Sequence, residues 1–451
     1  MLNSLVYNVK RLLKKPFKVG IITYRYPGET PTNTGVGIHS YYLANGLAKL
    51  GCEVHVFCFG KGRHSKTEYP GEGKLVIHRI DTKVPAFNSD EYLGKYISGF
   101  VFDNKIMEEV VKENSKDRFD IIHSNGRLLG GIFVSKYLGN IKWVNTIHSL
   151  EKNRLKFMPG EEKKYANVFK WMEDTIQHAD AIIAVSKNLK QEILDSYPVK
   201  EKKVYYIPNG VDFSVFKPDN TIPEEKKILY VGRFNLEKGI DMLPRIINNV
   251  LYHNKELKFE VIASDNKLPP SLEKVKKQFE MLLEKYPDRF IWEKEVLDKE
   301  ELAKRYNQAM IVIQPSLYES FGMTTLEAMA CGKAVVVSDK GALAEITGKA
   351  GVVVPLSTKA FSRAILKLAK DYKLRERYGR RGIEKSKEYN WEDIAKQTLD
   401  LYKVITKKTN EENGKEKPHE KVHEGLQNLE KLQEKEQEKP SENPLKTSKK
   451  A

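Results

Sequence analysis

From Phe17 onward the sequence alternates short apolar runs with helical stretches, and it does so in two separate series. The first series contains FKVGIIT (17–23), EVHVFCF (53–59), FDIIHS (119–124), KWVNTIH (142–148) and ADAIIAVS (179–186). Runs this short and this continuously apolar are buried on both faces, which is the pattern of parallel sheets covered by helices. GIHSYYLANGLAKL (37–50) has the spacing of a helix between the first two strands, and Gly51 ends it. An α/β doubly wound domain is therefore expected over residues 17–206. The second series follows IPNGVDFSVFKPD (207–219), whose Pro, Asn-Gly and Pro-Asp read as a linker. Its strands are KILYVGRF (227–234), FEVIAS (259–264), AMIVIQPS (309–316), KAVVVS (333–338) and GVVVP (351–355). This predicts a second doubly wound domain over 207–389, with a ligand at the carboxyl ends of the strands in a cleft between the two domains.

Composition fits that reading. A chain of 451 residues suits two or three domains, and 40% hydrophobic with 31% charged residues is ordinary for a globular enzyme. No run of 18 apolar residues is present, so no transmembrane helix is expected. In residues 1–16 the basic residues follow the apolar ones, unlike a signal peptide. Leu2, Leu5, Val6, Val9, Leu12 and Leu13 fall on one face of a helix, with Lys10, Arg11, Lys14 and Lys15 elsewhere on it. That amphipathic basic helix is compatible with peripheral contact at an anionic membrane surface, or with packing on the body. Residues 407–451 hold eleven Lys and ten Glu with few apolar residues, and are expected to be a disordered tail. Three cysteines (Cys52, Cys58, Cys331) have no metal-ligand spacing, which suits a reducing compartment, so a cytoplasmic location at most peripheral to the inner face of a membrane is expected. The net charge of +16 favours anionic partners. Nucleic acid is not among the expected ones, because no zinc finger, RNP motif or basic cluster with interleaved aromatics is present.

The most informative stretch is QPSLYESFGMTTLEAMACGKAVVVSD (314–339). Gln314-Pro315-Ser316 ends a strand, Phe321-Gly322 turns the chain, and a helix runs over 324–330. A helix beginning after a glycine offers free backbone N–H groups and the positive end of its dipole, a ready phosphate site. Glu327, about one turn inside, is placed to accept hydrogen bonds from vicinal sugar hydroxyls, and Glu319 in the preceding loop to face a second ring.

Glu319 and Glu327 form E-x7-E in the setting P-S-x-x-E-S-F-G-x-x-x-x-E-A-M-A-x-G. Together with TNTGVGIHSYYL (32–43), IPNGVD and VGRFNLEKG (231–239) in that order, this resembles the retaining glycosyltransferases of the GT-B fold, family 4, across residues 17–406. The resemblance implies two Rossmann-like domains: an N-terminal acceptor domain, joined by a returning helix at 390–406, and a C-terminal nucleotide-sugar donor domain. It implies that Glu327 holds the donor ribose and that Glu319 touches the transferred sugar. Phe321 and Gly322 belong to the donor-binding turn. Backbone N–H groups near Gly322, Met323 and Thr324 would meet donor hydroxyls and phosphate. Arg233 and Lys238 match the pair that clamps the diphosphate. Leaving-group charge on the β-phosphate needs a metal or fixed cations. The chain has no Asp-x-Asp metal anchor, so Arg233 and Lys238 are expected to serve, with no metal ligands and no cofactor beyond a UDP-, GDP- or ADP-sugar donor.

Further expectations carry the same warrant. Gly35 and Gly37, in the first strand-to-helix loop, permit positive φ and close ligand approach. The family's usual Gly-Gly pair is Thr34-Gly35 here. His148 matches a histidine beside the transferred sugar, and His123 is a second strand-end histidine. Ser149 stands where relatives often carry an acid, and Ser264-Asp265 replaces a Gly-rich turn near the nucleotide. Trp391 and Tyr402 are read as packing residues. The expected reaction is hexosyl transfer to a glycan, lipid-linked or small-molecule acceptor, with a cell-envelope polysaccharide among the candidates. Two alternatives remain at this level: a nucleotide-sugar epimerase of the same architecture, or a non-catalytic nucleotide-sugar binding module.

Overall fold

A computed structural model describes residues 16–28, 35–60, 66–70, 74–81, 91–126, 130–139, 141–157, 173–265, 268–294 and 298–406, with backbone alone for 91–100 and 130. The N-terminal helix expected over 1–16 (save Pro16), Thr34 and the tail 407–451 lie outside these residues. The chain divides into two units, Met1–Thr398 and Leu399–Ala451. Of the second, the described part is the closing stretch of the helix Trp391–Thr406. Everything below concerns the first.

Both expected α/β series form, each around its own sheet. The first sheet holds β1 (Lys18–Ile22), β2 (Glu53–Gly60), β3 (Lys66–Glu68), β4 (Leu75–Asp81), β5 (Ile121–Asn125), β6 (Lys142–Ile147), β7 (Ala181–Ala184) and β8 (Val204–Tyr206). Their spatial order is β3-β4-β2-β1-β5-β6-β7-β8, parallel throughout except for the β3–β4 pair. The second sheet holds β9 (Lys227–Val231), β10 (Lys258–Ile262), β11 (Phe290–Glu293), β12 (Ile311–Gln314), β13 (Ala334–Ser338) and β14 (Val352–Val354). Its order is β11-β10-β9-β12-β13-β14, all parallel. In each sheet the order reverses beside the first strand, at β1 and at β9, which is where doubly wound sheets open a crevice for ligand at the strand carboxyl ends.

Every apolar run picked out in the sequence is a strand. The central ones, β1, β5, β7, β9, β12 and β13, are buried at every position, as helices on both faces require. The helix Gly35–Lys49 follows β1 and presents His39, Ser40, Leu43, Ala44 and Leu47 inward.

One local expectation is corrected. Gly35 and Gly37 do not adopt positive φ, because the helix begins at Gly35 itself and both lie in its first turn. Among the described residues a Cβ at Gly35 would meet nothing within 4 Å. The stretch read as a linker, 207–219, does join the two sheets without helix or named strand, and its first part is buried. Residues 207–211 are buried, and Val211 bridges in parallel to Asn390. Gly210 permits this, since a Cβ there would sit 2.6 Å from the Trp391 ring. Trp391 packs as expected, stacked on Tyr42 with ring centroids 5.2 Å apart and edge-on to His39 at 5.7 Å.

Candidate active site

Two loops of the second sheet are stitched into one surface. The loop after β9 makes a single 3-10 turn, Leu236–Lys238, whose start is capped by the Asn235 side chain accepting from the Lys238 N–H. Gly239 ends it at φ 72°, and any Cβ there would lie 1.9 Å from the Pro315 carbonyl oxygen. Only glycine allows the loop after β12 to lie so close. That second loop donates the Leu317 and Tyr318 N–H groups to the Glu237 carbonyl at 2.9 and 3.2 Å. On its other side Ala342 N–H donates to the Glu319 carbonyl at 2.8 Å, next to Gly341 at φ 59°. Glu319 therefore sits on backbone held from both flanks.

The charged side chains converge there. Lys238 Nζ lies 2.6 Å from Glu319 Oε2 and 3.7 Å from Glu237 Oε1. Arg233 reaches Glu237 at 3.1 Å with its side chain 58% exposed, so its guanidinium is presented to solvent and to any incoming anion. Arg154, from the first sheet's half, contacts Glu237 at 3.4 Å and Glu151 at 2.6 Å. Burial alone would raise the Glu237 carboxyl, but Lys238, Arg233 and Arg154 outweigh it and hold it below its usual range. Three cations and three carboxylates (Glu237, Glu319 and Glu151) meet in this patch, and the exposed Arg233 guanidinium is the charge that an incoming diphosphate would meet first.

The helix Met323–Ala330 starts beside Glu319. Its N-cap is Gly322 at φ 110° with no side-chain cap, and a Cβ there would crowd Leu343 at 3.0 Å. Met323 and Thr324 are half-buried in the first turn, and the buried Thr325 hydroxyl has no hydrogen-bond partner among the described residues. Phe321 is buried, edge-on to Tyr389 at 5.8 Å, so its side chain fixes the turn rather than facing a ligand. Glu327 is buried and accepts from the Tyr306 hydroxyl at 3.0 Å. Burial pushes the Glu327 carboxyl up to about 7, although Tyr306 and Lys299 pull the other way.

On the first sheet, His148 follows β6 directly and lies partly buried, 3.3 Å from Asn125 through Nε2 and edge-on to His39 at 4.7 Å. Burial and the neighbouring His39 and His123 rings hold its pKa well below the usual value, so it is a neutral imidazole. His123 is fully buried against Thr146 at 2.6 Å and belongs to the interior rather than to a surface. The structure thus brings Lys238 and Glu319 together, places Arg233 on Glu237 beside them, and sets Gly322, Met323, Thr324 and Glu327 on the adjoining helix. Gly35, Gly37 and His148 stand on the first sheet's half.

Sequence reading missed several residues that organise the site. Arg154 and Glu237 complete the charge network, and Tyr306 holds Glu327. Asn209 Oδ1 accepts from His39 Nδ1 at 2.9 Å, and Tyr42 hydrogen-bonds Asp212 while Lys299 Nζ approaches the Tyr42 hydroxyl at 3.1 Å. Asn209 and Asp212 both belong to IPNGVD. The available signal was that IPNGVD is one of the stretches that carry the family resemblance.

Two doubly wound parallel sheets, with a cationic loop, a buried glutamate and an uncapped helix start on the second, define a glycosyltransferase of the GT-B class. Residues 33–215 match the family model described as Glycosyltransferase Family 4, and residues 212–385 match that of Glycosyl transferases group 1. The chain belongs to this family. It is 28% identical to an uncharacterized glycosyltransferase of Methanocaldococcus jannaschii, over 86% of this chain and 98% of that protein. It is 27% identical to alpha-maltose-1-phosphate synthase of Mycolicibacterium smegmatis, over 86% of this chain and 100% of the relative. The fold is similar to that of sucrose-phosphate synthase from Thermosynechococcus elongatus, with TM-score 0.72, 23% identity, and coverage of 87% of this chain and 100% of the other. The transferase relatives decide against the epimerase and binding-module alternatives. Among the described residues no helix is long and apolar enough to cross a membrane.

Proposed function

We propose that this chain is a retaining, metal-independent transferase that moves a hexosyl group from a nucleotide diphosphate sugar to a phosphorylated sugar or polyol. The observation that carries the donor half is the placement of Lys238 and Arg233 beside Glu319 at the start of the helix Met323–Ala330. The diphosphate lies between the two cations and the helix N-terminus, while Glu327 accepts from the ribose hydroxyls. As the glycosidic bond lengthens, charge grows on the β-phosphate, where fixed cations stabilise it without reorganising. Glu319, released from Lys238 when phosphate takes its place, accepts from a hydroxyl of the transferred sugar. His148, a neutral imidazole whose Nε2–H donates to Asn125 Oδ1, accepts through Nδ1 from a sugar hydroxyl near the anomeric carbon. No residue stands out as a covalent nucleophile. Front-side attack by the acceptor hydroxyl, with the β-phosphate taking its proton, accounts for retention of configuration.

The acceptor class is supported by the mycobacterial relative, whose name is that of an enzyme making a sugar phosphate. A lipid-linked acceptor at an anionic surface is the second reading, favoured by the basic amphipathic spacing of residues 1–15. The test is product formation by NMR from UDP-, GDP- and ADP-sugars, offered with sugar phosphates in solution or with a lipid-linked acceptor in anionic vesicles. The expected result is an α-linked product from an α-linked donor, formed equally with and without EDTA. Inversion at the anomeric carbon, or activity lost to EDTA and restored by magnesium, contradicts the reading.

A pH dependence follows from Glu327. The carboxyl of the empty site titrates near 7, and a ribose that hydrogen-bonds the carboxylate selects the ionised form. Binding therefore releases a proton below that pH, and donor Kd rises as pH falls through about 7, approaching tenfold per pH unit. Calorimetric titration of donor between pH 5.5 and 8.5 checks it; a flat Kd contradicts the ribose assignment.

A further inference from the structure

The first sheet carries a second cluster of chemistry that the transfer reaction does not use. His55 on β2, His78 on β4 and Glu113 on the helix Glu91–Lys116 are all buried, and one ligand-type atom from each lies within 4.8 Å of the others. The imidazoles meet Nδ1 to Nε2 at 2.9 Å. In the sheet register His55 pairs with Gly20 in the middle of β1, away from the strand carboxyl ends that carry the candidate active site.

The outer partners set the tautomers. Glu53 receives Lys18 at 3.1 Å and lies 3.1 Å from His55 Nε2. An ionised carboxylate only accepts, so His55 carries its proton on Nε2 and turns the Nδ1 lone pair toward His78. Thr67 Oγ1 lies 3.4 Å from His78 Nδ1. A hydroxyl can accept as readily as donate, so His78 can protonate Nδ1 and turn its Nε2 lone pair to the same point. A histidine ligand whose other ring nitrogen is held by a carboxylate or hydroxyl is the usual outer arrangement of a metal site. Lys116 holds one Glu113 oxygen at 2.7 Å. Phe57, stacked on His78 at 4.6 Å, and Phe119, edge-on to His55 at 5.3 Å, wall the cluster off with apolar surface.

We propose that His55, His78 and Glu113 bind a divalent transition metal that ties β2 and β4 to the helix Glu91–Lys116. Two imidazoles and a carboxylate suit zinc, with water as the fourth ligand. A tetrahedral zinc with bonds of about 2 Å keeps its ligand atoms about 3.3 Å apart. The imidazole pair opens slightly and the carboxylate closes in. No sequence spacing announces this, because the three ligands come from three separate elements.

The test uses the full chain, stripped with chelator, desalted, and titrated with Co2+ and then Zn2+. The expected result is the visible absorption of four-coordinate Co2+, saturating at one equivalent, displaced by Zn2+, with Tm raised by Zn2+. His78→Gln abolishes the Co2+ absorption. Glu113→Gln, which keeps the helix and its volume, weakens affinity at least tenfold. Should His78→Gln fail to fold by circular dichroism, Glu113→Gln decides alone. No Co2+ absorption in the parent, or unchanged affinity in Glu113→Gln, overturns the proposal, and the imidazole pair is then a buried hydrogen bond only.

Discussion

Lys238→Ala lowers kcat by about 10²–10³, with a smaller rise in KM, because the lysine already pairs with the bound diphosphate and pairs more strongly with the charge that grows on it as the donor bond breaks. The lysine is held for this purpose. Its backbone sits in a capped turn ended by Gly239, against a loop that approaches too closely for any other residue. Its ammonium is pinned between Glu319 and Glu237 at 2.6 and 3.7 Å. Deleting it leaves Glu319 without its ion-pair partner, while Glu237 keeps Arg233 and Arg154. Removing one member of a well-buried pair costs about 3–5 kcal/mol at most. These side chains are 12% and 11% exposed, so some solvent reaches them and the cost is smaller. A fall in Tm with the fold intact is therefore expected alongside the kinetic loss. Steady-state kinetics with circular dichroism checks both. A kcat within threefold of the parent would remove Lys238 from the leaving-group role.

Glu327→Gln has its large effect on the other parameter. A ribose contact made equally in the ground state and the transition state raises KM and leaves kcat nearly unchanged. Hydrogen bonds to a charged group contribute about 1.5–3 kcal/mol, so donor Kd should rise between about tenfold and a hundredfold. The same substitution abolishes the pH dependence of donor binding, since no group that titrates near 7 remains at that position. Stability moves the opposite way. Burial raises the Glu327 pKa in the folded state above its unfolded value. The carboxyl therefore favours folding below its unfolded pKa, and this is lost as pH rises toward and through about 7. Gln carries no such cost, so the variant is relatively more stable than the parent at pH 8. Thermal unfolding at pH 5.5 and 8 reads the difference. Loss of kcat with unchanged donor affinity would contradict the assignment.

The separate fates of these two residues rest on their positions in the fold, and those positions were partly legible in the sequence. Strands buried on both faces announce themselves as unbroken apolar runs, which is why β1, β2, β5, β6, β7, β9, β10, β12, β13 and β14 were readable. The strand LVIHRID (75–81) was not, because His78 and Arg79 interrupt it, and both turn out to be buried with polar partners. β8 and β11 were not read from the sequence either. The local geometry of Gly322 and Glu327 followed from helix physics within one short stretch. The partnership of Lys238 with Glu319, 81 residues apart, did not, nor did that of His39 with Asn209, 170 residues apart. Such pairs are set by how helices and loops pack at the sheets, which no local pattern encodes. For the same reason nothing in IPNGVD announced that Trp391, from the far end of the unit, buries the backbone of this linker.

The most direct test of the central claim is a thermal-shift titration of the metal-free protein with UDP-, GDP- and ADP-sugars, run in parallel on Glu327→Gln. One nucleotide class should raise Tm in the parent, in the presence of EDTA, and the variant should need at least tenfold more of it for the same shift. No shift with any nucleotide sugar, or the same shift in the variant at the same concentration, would contradict the donor site described here.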